Sequence, residues 1–379
     1  MLPGCPPPGR AAFGAVMTKY TVDEITVPAT SDDDPAVVSV FREWVDVQNR
    51  AEVATTHLPE LLWTPEEQLP YLLDPDAPSR LFLVRDDEGT AVGAGSYDSK
   101  VDPAAPNCWI AVSVAPEHRR RGVGTLLAEH LEDVARGQGR TQWKTYAVSR
   151  QVGPASGPGY RQAPTGFGAV PEDEAAVRFL TRRGWRLGQV NRISRLALPA
   201  AEAAVAEVRA AATVASGDHH RVHTWTGPTP DRWQSDLALL LTRMSTDAPS
   251  GDMTEPEDAW TVERLRTHEQ HLEDGPRTMR TVVVEDTSTG SLVGFTQLAV
   301  PGPLAQPVMQ GDTLVVREHR GQRLGWLLKA VGIEAVEREH PGHPSIITFN
   351  AEENRHMLDV NEAVGFVGVG CEGIWERRV

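Results

Sequence analysis

Cysteine is scarce in this 379-residue chain. Cys5, Cys108 and Cys371 are too few and too scattered for a disulfide framework or a zinc site. Thiols that need no pairing suit a reducing compartment, so the cytoplasm is the expected location and no metal is expected. No apolar run approaches the ~18–20 residues of a membrane span. The opening MLPGCPPPGRAAFGAV also lacks the basic start and apolar core of a secretory signal, so a membrane is not an expected partner. Basic charge is short as well: the formal net charge is −15, which excludes nucleic acid, because phosphate-backbone binding needs a basic face. Residues 1–200 are net −4 and residues 201–379 net −11, so any attraction for cations is concentrated in the second half. Tyrosine is confined to positions 20, 71, 97, 146 and 160, and any proton chemistry built wholly in the second half must proceed without a phenol.

What is present is a repeated loop. Val112 to Ala128 reads VSVAPEHRRRGVGTLLA, an apolar strand turning through an Arg/Gly loop into an amphipathic helix. Arg119, Gly122 and Gly124 fit R-x-x-G-x-G, in which glycine lets the main chain approach an anion and the opening helix turn adds unpaired N–H groups. The expected ligand is a phosphate or pyrophosphate. Leu314 to Leu328, LVVREHRGQRLGWLL, repeats the arrangement at an offset of 201, which also pairs Val92-Gly93 with Val293-Gly294 and Gly124 with Gly325. An unbroken register of this length signifies internal duplication.

The remaining elements repeat in the same order. In the first half a strand from Tyr20 precedes two helices, one opened by Asp34-Pro35 and one by the Thr64-Pro65-Glu66-Glu67 cap. Arg80 to Arg85 and Ala91 to Tyr97 make a hairpin, and Trp109 to Ala115, the long helix from Gly122 and the strand Gln142 to Val148 follow. Gln151 to Val170, rich in Gly and Pro, reads as a long loop that the second half lacks. Residues 1–17 read as a disordered extension, 18–198 and 220–379 as two domains, and 199–219 as a linker helix. The histidines His219, His220 and His223 read as exposed linker residues rather than metal ligands.

A β-α-α-β-β-β-α-β-α-β-β unit with R-x-x-G-x-G after its fourth strand resembles the GNAT superfamily of N-acetyltransferases. A second pattern joins it: Asn354, Met357, Asn361, Gly365 and Phe366 fall on the positions of the superfamily's fourth-helix motif, as do Asp173, Ala176, Leu180, Gly184 and Trp185. The duplication resembles that of tandem actinobacterial members such as mycothiol synthase. The fold implied is α/β, two tandem domains each with a mixed, mostly antiparallel sheet flanked by helices. The resemblance further implies an acyl-CoA-dependent N-acyltransferase with acetyl-CoA as donor and a small-molecule amine as acceptor, working as monomer or homodimer.

Carried onto this sequence, the donor site comprises Val112 and Val114 on the strand and Arg119, Arg120, Arg121, Gly122, Val123, Gly124 and Thr125 on the loop. In the second copy it comprises Thr313, Val315, Arg320, Gly321, Gln322, Arg323, Leu324, Gly325 and Trp326, with Asn354. Arg323 stands where Gly122 does, so the second loop either keeps its shape with an added charge or is altered and weakened. The superfamily's usual acid is a fourth-helix Tyr, but Leu180 and Asn361 hold that place here. Asp312 is the one fourth-strand carboxylate, which makes it the candidate base, direct or through water; the alternative is a strand-edge carboxylate bonded to its neighbours. Asn361 could stabilise the leaving thiolate or simply cap the following turn. These two residues place the chemistry in the second half. The alternative is a degenerate pair of modules that bind coenzyme A as structure or signal. The acidic run from Asp247 to Asp274 is either a solvated helix face or the acceptor site, with Asp247, Asp252 and Glu255 the candidates for drawing in a cationic amine.

Overall fold

The computed structural model describes residues 20–102, 104–150, 157–247, 251, 253 and 257–379. The first half runs β1 (Thr21–Ile25), α1 (Pro35–Thr56), α2 (Pro65–Leu72), β2 (Ser79–Arg85), β3 (Ala91–Asp98), β4 (Asn107–Val114), α3 (Val123–Gly137), β5 (Gln142–Arg150), β6 (Tyr160–Gln162), β7 (Ala169–Pro171), α4 (Ala175–Arg182) and β8 (Arg186–Ala197). After α5 (Glu202–Ser216) come β9 (His220–Thr226), α6 (Gln234–Asp247), α7 (Val262–Glu273), β10 (Arg277–Asp286), β11 (Ser291–Pro301), β12 (Val308–Val315), α8 (Leu324–Glu339), β13 (Ser345–Ala351), α9 (Arg355–Ala363) and β14 (Val367–Arg378).

Local chemistry explains the helices that wall the site. Asp34 caps α1 by accepting from the Ala36 N–H, Pro35 occupies its first position, and Val38, Phe41, Val45 and Trp44 make the buried face at helical spacing. His57, left-handed at φ 56°, ends it. Thr64 and Glu67 form the reciprocal capping box that starts α2.

Twelve strands form one mixed, mostly antiparallel sheet in the order β1-β2-β3-β4-β5-β14-β8-β13-β12-β11-β10-β9, flanked by helices. The order carries an exchange. β14, the end of the second half, pairs with β5 of the first, and β8, the end of the first half, pairs with β13 of the second. β8 and β14 lie side by side at the centre. The sequence reading, with a division at 198/220, had each half closing its own sheet; the structure has them close each other's. The exchange is anchored by burial: Trp375 of β14 is fully buried and joins Cys371 in the first-half core with Trp143, Leu127 and Leu131. Leu196 of β8 packs correspondingly with Val300, Ile346 and Phe366 in the second.

Two further expectations are corrected. The stretch read as a structureless loop contains the β6–β7 hairpin, whose three-residue strands are too short to show alternation, and Val170 is buried in the first-half core; residues 151–156 lie outside the described residues, as do 1–19. His220 and His223 sit in β9, not in a linker, and the His223 ring pairs with Glu285 at 2.6 Å.

The feature that positions a site is a splay. β4 and β5 are parallel and pair only from Asn107↔Gln142 to Trp109↔Lys144 before diverging; β12 and β13 do the same after Gln310↔Thr348. Each pair therefore opens a wedge with unsatisfied strand edges. β12 differs from β4 by a bulge, since Gly311 and Asp312 together oppose Gln297 between the Thr296↔Thr313 and Leu298↔Gln310 pairs.

Candidate active site

The first loop leaves β4 through a turn at Pro116–His118, takes left-handed conformations at Arg120 (φ 64°) and Gly122 (φ 91°), and enters α3 at Val123. The helix's first internal bond runs from the Leu126 N–H to Gly122 O, which leaves the amides of Val123, Gly124 and Thr125 unpaired within it. No side chain caps this end. The second loop repeats the backbone with the residues exchanged: Gly321 (φ 85°) stands for Arg120 and Arg323 (φ 54°) for Gly122. Arg323 thus accepts a left-handed conformation that costs an L-residue on the order of 1 kcal/mol, and the loop keeps its shape.

The arginine that opens each motif is an anchor. Arg119 donates from Nε to Val114 O at 3.3 Å and from Nη2 to Ala51 O at 2.9 Å, tying the loop to β4 and α1. Arg320 donates likewise to Val315 O at 3.0 Å, and its Nη2 lies 3.8 Å from Asp247 Oδ2. Asp247 also pairs with Arg317 at 3.3 Å. The sequence offers Asp247 as a candidate for an acceptor site or as part of a solvated helix face; the structure spends its charge on the second loop, away from both cavities described below. Asp252 and Glu255 lie outside the described residues.

Each wedge opens into a cavity. The first, about 960 Å³, is lined by Val112, Val114, Arg119, Arg120, Gly122, Gly124 and Thr125, so it joins the loop to the strand edge. Arg121 does not line it, and Val123 is buried in the core beneath. Arg178 and Arg182 of α4 add positive charge to the lining, Arg183 is held by Glu132 at 2.9 Å, and the carboxylates Glu52, Asp98, Glu132 and Glu174 line the cavity as well. The second cavity, about 980 Å³, is lined by Asp312, Thr313 and Asn354, but not by Val315 or by any of Arg320 to Trp326. Its charged lining is acidic: Glu52, Glu269, Glu273, Asp312 and Glu372, against Arg277, which is itself held by Glu67 at 3.0 Å.

A change of side chains accounts for the second loop's separation from its cavity. Trp109, Thr125, Ala128, Leu180 and Trp185 line the first cavity; their counterparts are Gln310, Trp326, Lys329, Asn361 and Phe366, of which only Gln310 lines the second. Lys329 is fully buried, donates from Nζ to Gln310 Oε1 at 2.8 Å, and lies over the Phe366 ring. Gln310 donates to Thr296 Oγ1, which shares a hydrogen bond with Thr313 Oγ1 at 2.7 Å. Burial pushes the Lys329 amine down to about 7. Asn361 is buried too and donates from Nδ2 to Asn350 Oδ1 at 2.7 Å, tying α9 to β13. It does not line the cavity, so the expected contact with a leaving thiolate is not made.

The two cavities share Glu52, Trp63, Tyr71, Tyr146 and Val148, so the wedges meet at the sheet centre. There the ionisable groups are perturbed. Burial, and then the Glu372 carboxylate, push the Glu52 carboxyl up to about 7. Burial holds Glu372 above the carboxylate range against the hydrogen bond it accepts from Asn191 Nδ2 at 2.8 Å. Asp98 is raised by burial despite accepting from Ser79 and Ser96. Tyr146, open to the cavities but enclosed by protein and by Glu52, Glu372 and Asp98, is pushed upward and stays a neutral phenol. Asp312 is likewise open to the second cavity yet ringed by protein, and desolvation raises it.

Sequence reasoning missed Glu52, Tyr146, Glu372 and Lys329. Lys329 left a signal, a lone lysine inside the apolar run WLLKAVGI. Glu52 and Glu372 left none, because each reads as an ordinary polar position and they meet only through the strand exchange.

Among the described residues no group of three or more His, Cys, Asp or Glu could hold a metal, and no helix is long and apolar enough to cross a membrane. Residues 41–150 match the Acetyltransferase (GNAT) family. No curated protein matches the chain. Among solved structures, a tandem GNAT protein from the clavulanic acid biosynthesis pathway is 23% identical and superposes with a TM-score of 0.70, covering 94% of this chain and 98% of its own. A GCN5-related N-acetyltransferase from Sphaerobacter thermophilus is 14% identical over 95% of each chain, TM-score 0.59. Saccharomyces cerevisiae N-myristoyltransferase, solved with myristoyl-CoA bound, is 12% identical over 95% of this chain and 80% of its own, TM-score 0.56. The chain therefore carries the fold of tandem GNAT proteins, and its residues 41–150 match the acetyltransferase (GNAT) family model.

Proposed function

We propose that the protein is an N-acetyltransferase that takes acetyl-CoA in the first cavity and a small cationic amine in the second, with the chemistry where they meet. The observation that carries this reading is the continuity of the first cavity from unpaired loop amides to Glu52 and Tyr146. Unpaired helix amides and the arginines near them suit a pyrophosphate, and the wedge along β4 suits a linear chain leading inward. The acidic second cavity suits an amine that is protonated in water. This moves the chemistry from the second half, where Asp312 and Asn361 had placed it, to the junction. Asp312 then serves acceptor recognition.

Direct transfer to an amine needs a base, a group for the developing oxyanion and an acid. Glu52, titrating near neutrality, removes the ammonium proton and passes it to solvent, the free nitrogen attacks the thioester carbonyl, and the same carboxylate takes the second proton that the nitrogen sheds on becoming an amide. Unpaired N–H groups on the open edge of β4 face the oxygen. As the C–N bond forms and the C–S bond breaks, Tyr146 is the neutral donor available to the departing sulfur, a role that Leu180 on α4 cannot fill. The test is thiol release from acetyl-CoA with a panel of amines. Amine-dependent release that falls at least about 100-fold in Glu52→Gln is expected; binding of acetyl-CoA with no release for any cationic amine would overturn the reading.

A further inference from the structure

Glu52 and Glu372 belong to opposite halves of the chain and reach one chamber through the strand exchange. Glu52 projects from α1, which packs on β3, β4 and β5. Glu372 comes seven residues before the end of the chain, on β14, directly across the ladder from Val148, a residue lining both cavities. Among the described residues no hydrogen bond or ion pair engages the Glu52 carboxyl, and the Glu372 carboxyl is bonded by the neutral Asn191 amide alone. Neither carboxyl has a cation against it.

We infer that Glu372 is a positioning residue for the transfer reaction: with Glu52, which lines the same cavity, it forms a carboxyl pair that shares a proton, so the second half completes the base of the first. This rests on the proposed role of Glu52. Two carboxylates in one desolvated chamber cannot both ionise cheaply, so the pair titrates as a unit. The other groups facing Glu52 do not supply a counter-charge. Asp98 on β3 is itself raised, and Tyr71 on α2 and Tyr146 on β5 are neutral phenols. Arg119 on the loop side turns its guanidinium to Ala51 O and Thr55 Oγ1 and is not among the groups that shift Glu52. Across the second cavity Arg277 on β10 is held by Glu67, while Glu269 on α7 and Asp312 on β12 are acidic and His268 on α7 is kept neutral by burial. Ionisation of Glu52 therefore answers chiefly to burial and to Glu372.

The pair is complete only when β14 is seated. The nitrogen sheds two protons on its way from ammonium to amide. The first, taken by Glu52 before attack, passes to solvent; the second, lost as the C–N bond forms, is taken by the carboxyl pair and returned toward Tyr146 to replace the proton that the phenol gave the sulfur, so each turnover releases one proton.

The test needs no knowledge of the acceptor. In the full-length protein labelled with ¹³C-carboxyl glutamate, the Glu52 resonance, assigned by its loss in Glu52→Gln, is titrated in wild type, Glu372→Gln and Glu372→Asp. Glu372→Gln keeps a hydrogen-bonding partner for Asn191 and is expected to lower the Glu52 midpoint by about one pH unit, leaving it above the ordinary carboxylate range because burial remains. Glu372→Asp is expected to restore most of the shift. An unchanged Glu52 midpoint in a folded Glu372→Gln protein overturns the inference. Failure of the functional reading is separate: Glu52→Gln with undiminished transfer would remove Glu52 from the chemistry whatever the titration shows.

Discussion

Replacing Lys329 by methionine tests the filling of the second groove most directly. The amine is fully buried with one hydrogen-bond acceptor, and burial lowers it from 10.5 to about 7. Each unit is worth about 1.36 kcal/mol, so keeping the folded lysine charged costs about 5 kcal/mol below pH 7. In the window from about 7 to 10.5 the unfolded chain binds the proton and the folded chain sheds it, so stability rises with pH there. Between pH 7 and pH 9 this single group adds about 2 kcal/mol to wild-type stability. Methionine fills nearly the same volume without the charge. It strands the Gln310 oxygen at a cost of about 1–3 kcal/mol. Lys329→Met is therefore expected to be more stable than wild type by about 1–3 kcal/mol at pH 7 and to lose about 2 kcal/mol of that advantage by pH 9. Denaturant unfolding followed by tryptophan fluorescence at the two pH values reads both numbers. The buried thiols Cys108 and Cys371, pushed up to about 12, are common to both proteins and cancel in the difference. A mutant-minus-wild-type difference that is the same at both pH values would refute a neutral-pH lysine in the groove.

Calorimetry with acetyl-CoA should give one site per chain; Gly124→Trp, which fills a cavity where a Cβ meets only Val114 at 3.4 Å and Phe179 at 3.9 Å, should abolish it, and Gly325→Trp should leave it. Two sites, or the reverse pattern, would return the donor to the second half. Transfer should accelerate as pH rises through about 7, because the Glu52 midpoint lies there and only its carboxylate accepts a proton; a kcat/KM flat from pH 6 to 8 would contradict it. For a cationic acceptor, kcat/KM should fall as salt is raised from 0.05 to about 0.5 M, through screening of the acidic cavity, and a best substrate that is anionic would argue against that cavity as its site. Trp375→Ala should cost about 3–5 kcal/mol, measured by denaturant midpoint. A loss under about 1 kcal/mol would mean that β14 contributes little to the first-half core.

The duplication, the two loops and nearly every strand and helix were legible because they rest on local signals: the caps at Asp34 and Thr64, the period of α1, the register of 201. The exchange of β8 and β14 was not, since pairing partners far apart in sequence leave no trace in either strand's own pattern. The site divided on the same line. Loop residues such as Gly122 and Gly124 are prescribed by a backbone conformation and could be read. The surroundings of Asp247 were not legible, because an acidic residue in a run shows its charge but not the Arg317 and Arg320 that pair with it. Asn361 was given a role by its place in a motif, while its burial against Asn350 depends on tertiary contact.

The place of β14 in the sheet also sets a schedule. On a ribosome adding about 5–20 residues per second, β5 and β8 are made long before the strand that must lie between them. Some 180 residues separate the end of β8 from the end of β14, a delay of roughly 10–40 s. For that interval the nascent first half offers two open strand edges side by side, the kind of surface that pairs with a neighbouring chain if given the chance. The order of synthesis thus makes the emergence of β14, rather than completion of the first half, the moment at which these edges are covered.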